Sequence, residues 1–154
     1  MGIETFPVVE GYEVETFLAG EWKTLTDCLD DKMDAIAREL DLTPLARFCS
    51  YSRQDAIESL SEEEVEEEEA EAELKDGVYH KEGYELWSLE RRWFEPDEAR
   101  RTTEELIQFL RLHPERLGEA AEDAEYFIAI LETLHEVLSQ AKARNKRFYL
   151  KTCV

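Results

Sequence analysis

Residues 61–76 read SEEEVEEEEAEAELKD, ten acidic groups against one lysine, and no fold can place such a segment inside a core. An ionised carboxylate taken out of water without a partner costs far more than the contacts it gains. The segment therefore belongs at the surface, and the packed elements have to form without it. Its helical signals conflict. Glu and Ala are good helix formers, and Ser61 followed by Glu64 has capping-box spacing. Like charges four residues apart oppose the same helix, and Val65, Ala70, Ala72 and Leu74 are too few to make a core face. The reading is an acidic insertion over residues 61–76, flexible or formed as a frayed, solvated helix, within one domain spanning residues 1–154.

The excess charge continues beyond this run. The chain holds 38 acidic and 18 basic residues, a formal net charge of −20. Residues 1–90 carry −19 and residues 91–154 only −1. Such a field repels nucleic-acid phosphates and anionic membrane surfaces and favours basic partners. Nucleic acid and membrane are excluded as partners on this ground, and a basic protein is the expected one. The candidate partner-binding residues are Glu62, Glu63, Glu64, Glu66, Glu67, Glu68 and Glu69. The run lacks the alternating DxDxDG pattern that wraps a calcium ion, so neither a metal nor a cofactor is expected. Mimicry of nucleic-acid phosphates is a further reading of the same charges.

Cys28, Cys49 and Cys153 are odd in number and far apart, without a CxxC pair. That usage fits reduced thiols in the cytoplasm better than a disulfide scaffold. The opening MGIETFPVVEG has no basic stretch followed by an apolar run, so it does not read as a signal peptide. Phe6 stands where a myristoylation motif requires Ser or Thr. No apolar run approaches the ~20 residues needed to span a bilayer.

Periodicity supplies the architecture. Ile3 to Val9 reads as a strand, with Pro7 marking an edge or a bulge. A second extended piece is expected near Val14 to Leu18. Leu29, Met33, Ile36 and Leu40 form a helical stripe, capped at Thr26 or Asp27 and interrupted at Asp41 to Pro44. Leu45, Phe48, Ala56, Ile57 and Leu60 suggest short helical turns. Val78 to Phe94 is aromatic and strand-like, punctuated by Gly77 and Gly83. Pro96-Asp97-Glu98 opens a helix with Leu106, Phe109, Leu110 and His113 as its core stripe. A long last helix starts at Gly118 and buries Phe127, Ile130, Leu131, Leu134, Leu138 and Ala141. Asn145 suits a left-handed cap, and Arg147 to Cys153 alternates as a final strand. The prediction is an α+β domain: a small, mostly antiparallel sheet with neighbouring N- and C-terminal strands, packed against the long C-terminal helix and two or three shorter helices.

No catalytic motif is present. His80, His113 and His135 are scattered, and the last two fall on or beside helical stripes, where a structural histidine is the commoner outcome. Arg91, Arg92, Arg100 and Arg101 surround Trp93-Phe94 and the following helix start, and form a candidate anion site. The competing reading is that they pair with surplus carboxylates. Trp22, Trp87 and Trp93 fit a core and its rim.

The stretches MGIETFPVVEG, RWFEPDEARRTTEELIQFL and LETLHEVLSQAKARNKRFYL resemble a group of small uncharacterised bacterial proteins. These have a short N-terminal strand, a WFxP-type segment opening a helix, and a long helix leading into a last strand. The resemblance covers about half the chain and leaves residues 62–73 without a counterpart. It implies a bacterial origin and this topology, and no activity. By fold analogy alone, such proteins include immunity and adaptor proteins. The leading expectation is a non-enzymatic acidic interaction protein. The alternatives are a small-molecule-binding protein or weak enzyme with a pocket near Trp93 and the arginines, and a DNA mimic.

The last helix is the expected main contributor to stability. Leu131→Ala should cost ~2–5 kcal/mol in a denaturant titration; an unchanged midpoint contradicts its burial.

Overall fold

A computed structural model describes residues 4–11, 25, 31–117 and 124–153. The fold is α+β. The described elements are β1 (Glu4–Val9), α1 (Asp31–Glu39), a 3-10 turn (Leu45–Phe48), α2 (Arg53–Ser59) and α3 (Glu62–Ala70). They continue with β2 (Glu73–Lys75), β3 (Val78–Lys81), β4 (Tyr84–Ser88), α4 (Pro96–Leu112), α5 (Ala124–Ala143) and β5 (Phe148–Cys153). The expected strand near Val14 to Leu18, the caps at Thr26 and Asp27, Leu29, Trp22, Cys28 and the helix start at Gly118 lie outside the described residues.

The chain divides into two compact units, one made of Met1–Cys49 with Phe94–Val154, the other of Ser50–Trp93. In the first, the terminal strands pair antiparallel from Glu4↔Cys153 to Val9↔Phe148. The Glu10 amide donates to the Arg147 carbonyl at 2.8 Å, which sets the phase of the ladder. Pro7 therefore falls in a pair whose backbone groups face away from β5, where its missing N–H costs no ladder bond. Two isolated bridges add to β5 within the same unit. Cys49 bridges Leu150, and Phe94 bridges Phe148.

Helices α4 and α5 pack on each other, and their inward residues Leu106, Leu110, Leu131, Leu134 and Leu138 are fully buried. Both α1 and α5 end in the left-handed turn that closes a helix through two extra hydrogen bonds. Asp41 has φ 58° and Asn145 φ 55°. The amides of Leu42 and Lys146 reach back to the carbonyls of Ala37 and Ala141. Three expectations for the helical stripes need correction. His113 is exposed, because α4 stops at Leu112 and the histidine is its C-terminal cap. Phe109 and Phe127 are only partly buried, and Ile107 and Val137 take the deeper positions.

The second unit is a two-helix, three-strand module. Its strands run antiparallel in the order β2-β3-β4. Two-residue turns join them, with positive φ at both Asp76-Gly77 and Glu82-Gly83, the geometry whose twist matches paired strands. Its core is small: Ala56, Val65 and Trp87, packed by Tyr51, Ile57, Tyr79 and Leu86. Tyr84 is 74% exposed at the start of β4.

Leu150 and Phe148 are two residues apart on one strand, roughly 7 Å. Replacing residues 50–93 by two glycines should therefore leave the first unit folded. We expect a cooperative thermal transition and retained helical circular dichroism; a chain that unfolds without its insertion contradicts this division.

Candidate functional site

The acidic run becomes the helix α3 followed by the strand β2. Ser61 caps α3, its hydroxyl accepting from the Glu64 amide at 3.1 Å. The carboxylates of Glu62, Glu63 and Glu64 lie in the first turn, where the helix dipole favours them. Farther along, the dipole and like-charge repulsion both oppose the glutamates, and the structure counters this in two ways. Val65 is fully buried against Ala56 and Trp87, which seats one face of the helix on the module's core. Two cations from neighbouring elements then neutralise the carboxylates on that side.

Arg53, at the start of α2, donates through Nε to both oxygens of Glu69, at 3.1 and 3.0 Å. The Trp87 indole N–H approaches the same carboxylate at 3.5 Å. Lys81 on β3 bridges Glu68 at 3.0 Å and Glu71 at 2.8 Å. Burial pushes the Glu69 carboxyl up, but hydrogen bonds from Arg53, Trp87 and Tyr79 outweigh it and leave it below the usual range. The Lys81 hydrogen bond lowers Glu71, and the bonds to Glu71 and then Glu68 raise Lys81. Burial, followed by the Glu69 charge, raises the Tyr79 hydroxyl.

The seven candidate partner-binding glutamates thus divide. Glu68 and Glu69 are partly buried and held in ion pairs within the module. Glu62, Glu63, Glu64, Glu66 and Glu67 are exposed. Glu62 with Glu66 and Glu63 with Glu67 stand four residues apart on α3, about 6 Å along the axis at the usual helical rise. The unit Ser50–Trp93 carries 15 acidic and 5 basic residues, half the net charge of the chain.

The four arginines do not share one unit. Arg91 and Arg92 belong to the module. Arg91 lies 3.6 Å from Asp55 and 5.9 Å from the Trp93 ring centre. The Arg92 amide donates to Ser50 Oγ at 3.0 Å. A hollow of about 350 Å³ beside them is also lined by Asp76 and Glu90. Arg100 and Arg101 are on α4, where Arg100 donates to Ser139 at 3.1 Å and Arg101 stands 3.8 Å from Glu105.

His80 on β3 is paired across the sheet with Glu73 and Glu85. His113 packs against Phe109 with ring centres 5.0 Å apart and the rings tilted by 46°, and reaches Glu115 at 3.5 Å. His135 is partly buried on α5. Among the described residues, no group of three or more His, Cys, Asp or Glu side chains could hold a metal ion. No described helix is long and apolar enough to cross a membrane. Sequence reasoning missed Arg53 and Lys81. Their signal was scarcity, since residues 50–90 contain only three bases, Arg53, Lys75 and Lys81.

No protein-family model, curated protein or solved structure matches the chain.

Glu69 and Glu71 have lowered folded-state values, so their contribution is present above the ordinary carboxyl range and disappears as pH falls through the lowered values. Glu69→Gln should lower the melting temperature at pH 7, and the deficit should shrink below about pH 4, where wild-type carboxylates protonate. Glu67→Gln, at an exposed position, should leave the pH 7 value unchanged or slightly higher. A Glu69→Gln deficit independent of pH contradicts the ion-pair assignment.

Proposed function

We propose that this chain is a non-enzymatic interaction protein, adaptor- or immunity-like, and that it binds a basic protein partner through the outer face of α3. One observation carries the reading. The inner carboxylates of α3 are neutralised within the module, so the outer ones are presented on a seated helix. Glu62, Glu63, Glu66 and Glu67 are the contact residues, with Glu64 beside them. A fixed row of like charges raises the encounter rate with a basic surface and selects against acidic ones. The cytoplasm is the expected compartment.

The hollow beside Arg91 and Arg92 supports a second, weaker reading as a small-anion pocket near Trp93. Asp76 and Glu90 share its lining and Arg91 already meets Asp55, which disfavours an anion there. Phosphate mimicry falls within the leading reading, as the case in which the partner's basic surface normally holds nucleic acid.

The wild type and a Glu62→Gln, Glu63→Gln, Glu66→Gln, Glu67→Gln variant should be compared as baits in cell extract at low salt. The wild type should retain basic proteins that elute by about 0.5 M salt, where screening is nearly complete. The variant should lose them while keeping its melting temperature. Equal recovery by both baits, or no recovery of basic proteins, contradicts the reading.

A further inference from the structure

The first unit contains a feature unrelated to the acidic module. A hollow of about 610 Å³ lies where α4 ends and α5 begins. Its origin is side-chain size. Pro114 follows the last turn of α4, and α5 presents Ala124, Ile128 and Ala129 to the space beside it. Leu110 and Ala124 are buried and contribute to an apolar lining. The volume lies within the roughly 300–1,000 Å³ of small-molecule sites.

The charged groups in the lining decide which class of ligand fits. Arg111 crosses from α4 to form an ion pair with Glu132 on α5. Glu125 stands two turns before Glu132 on the same helix and also lines the hollow, so the lining carries two carboxylates and one guanidinium. An anionic ligand would meet a net negative lining in a chain of charge −20. A neutral apolar ligand gains only burial. A cation with an apolar body gains burial and the attraction of a lining with one more carboxylate than guanidinium.

We propose that the hollow between α4 and α5 binds an organic cation, specifically a protonated amine carrying an alkyl or aryl body. The apolar body lies against Leu110, Ala124 and Ile128, and the ammonium group faces Glu125.

The test titrates the full-length protein with n-octylammonium and, separately, with n-octanoate below their micellar concentrations, following amide chemical shifts. Octylammonium should give saturable one-to-one shifts centred on residues 110–114 and 124–132, about tenfold tighter than octanoate, a gap set by reversing one exposed charge. Ala129→Phe fills the space and should abolish binding. Glu125→Gln, an exposed change that keeps the fold, should weaken octylammonium about fivefold, the order expected for an exposed ion pair, and should not weaken octanoate, whose repulsion it relieves. The proposal is overturned by the absence of saturable binding, by equal affinity for the two probes, or by binding that neither variant alters. A concentration-dependent dimer that protects the same amides also overturns it, because a second copy would then occupy the hollow.

Discussion

The acidic module depends on two cations that fold back onto a glutamate helix. Without Arg53 and Lys81, α3 would be a nine-residue helix with one apolar anchor and repelling charges at every turn. Helices that short are marginal in water even with favourable sequences. Arg53 arrives from the preceding helix and Lys81 from a strand that begins eight residues after α3 ends. The helix is therefore a product of tertiary structure. Its inner carboxylates hold the module together, which fixes the positions of the outer ones.

Within the module these interactions reinforce one another. The turn at Asp76-Gly77 folds β3 back along β2, and the turn at Glu82-Gly83 folds β4 along β3. β4 brings Trp87 beneath Val65 and β3 brings Lys81 to the end of α3. The larger unit has a different basis. It is held by Leu-rich contacts between α4 and α5 and by a terminal strand pair closed by the Arg147–Glu10 ion pair at 2.6 Å. A three-phenylalanine cluster, Phe48, Phe94 and Phe148, stands where the chain leaves and re-enters this unit, with ring centres 5.6 to 6.4 Å apart.

The parts of this fold written in short-range pattern were legible in the sequence. Pro96 at the first turn of α4, the Leu131–Leu134–Leu138 stripe and Asn145 as a left-handed cap depend on neighbours a few residues away, and each appears as expected. The pairing of the two chain ends followed from placing a strand at each. The misses occur where local pattern ends. His113 continues the spacing of the α4 stripe, but the helix stops one residue before it, so periodicity assigned it to a core it does not enter. β2 showed no alternation because all three of its residues are exposed; it is a strand only because a tight turn delivers β3 beside it. The candidate site was half legible. The run itself was plain, but its division into inner and outer faces depends on Arg53 and Lys81, for which sequence offers only the scarcity of bases.

At neutral pH α3 is a helix seated on the module's core rather than a solvated segment. Amide hydrogen exchange across residues 65–70 at pH 7 tests this most directly. Protection comparable to that of α2 and β3, lost when Arg53 and Lys81 are both replaced by glutamine, is the predicted result. Exchange at the rate of an unstructured chain in the unmodified protein would contradict it.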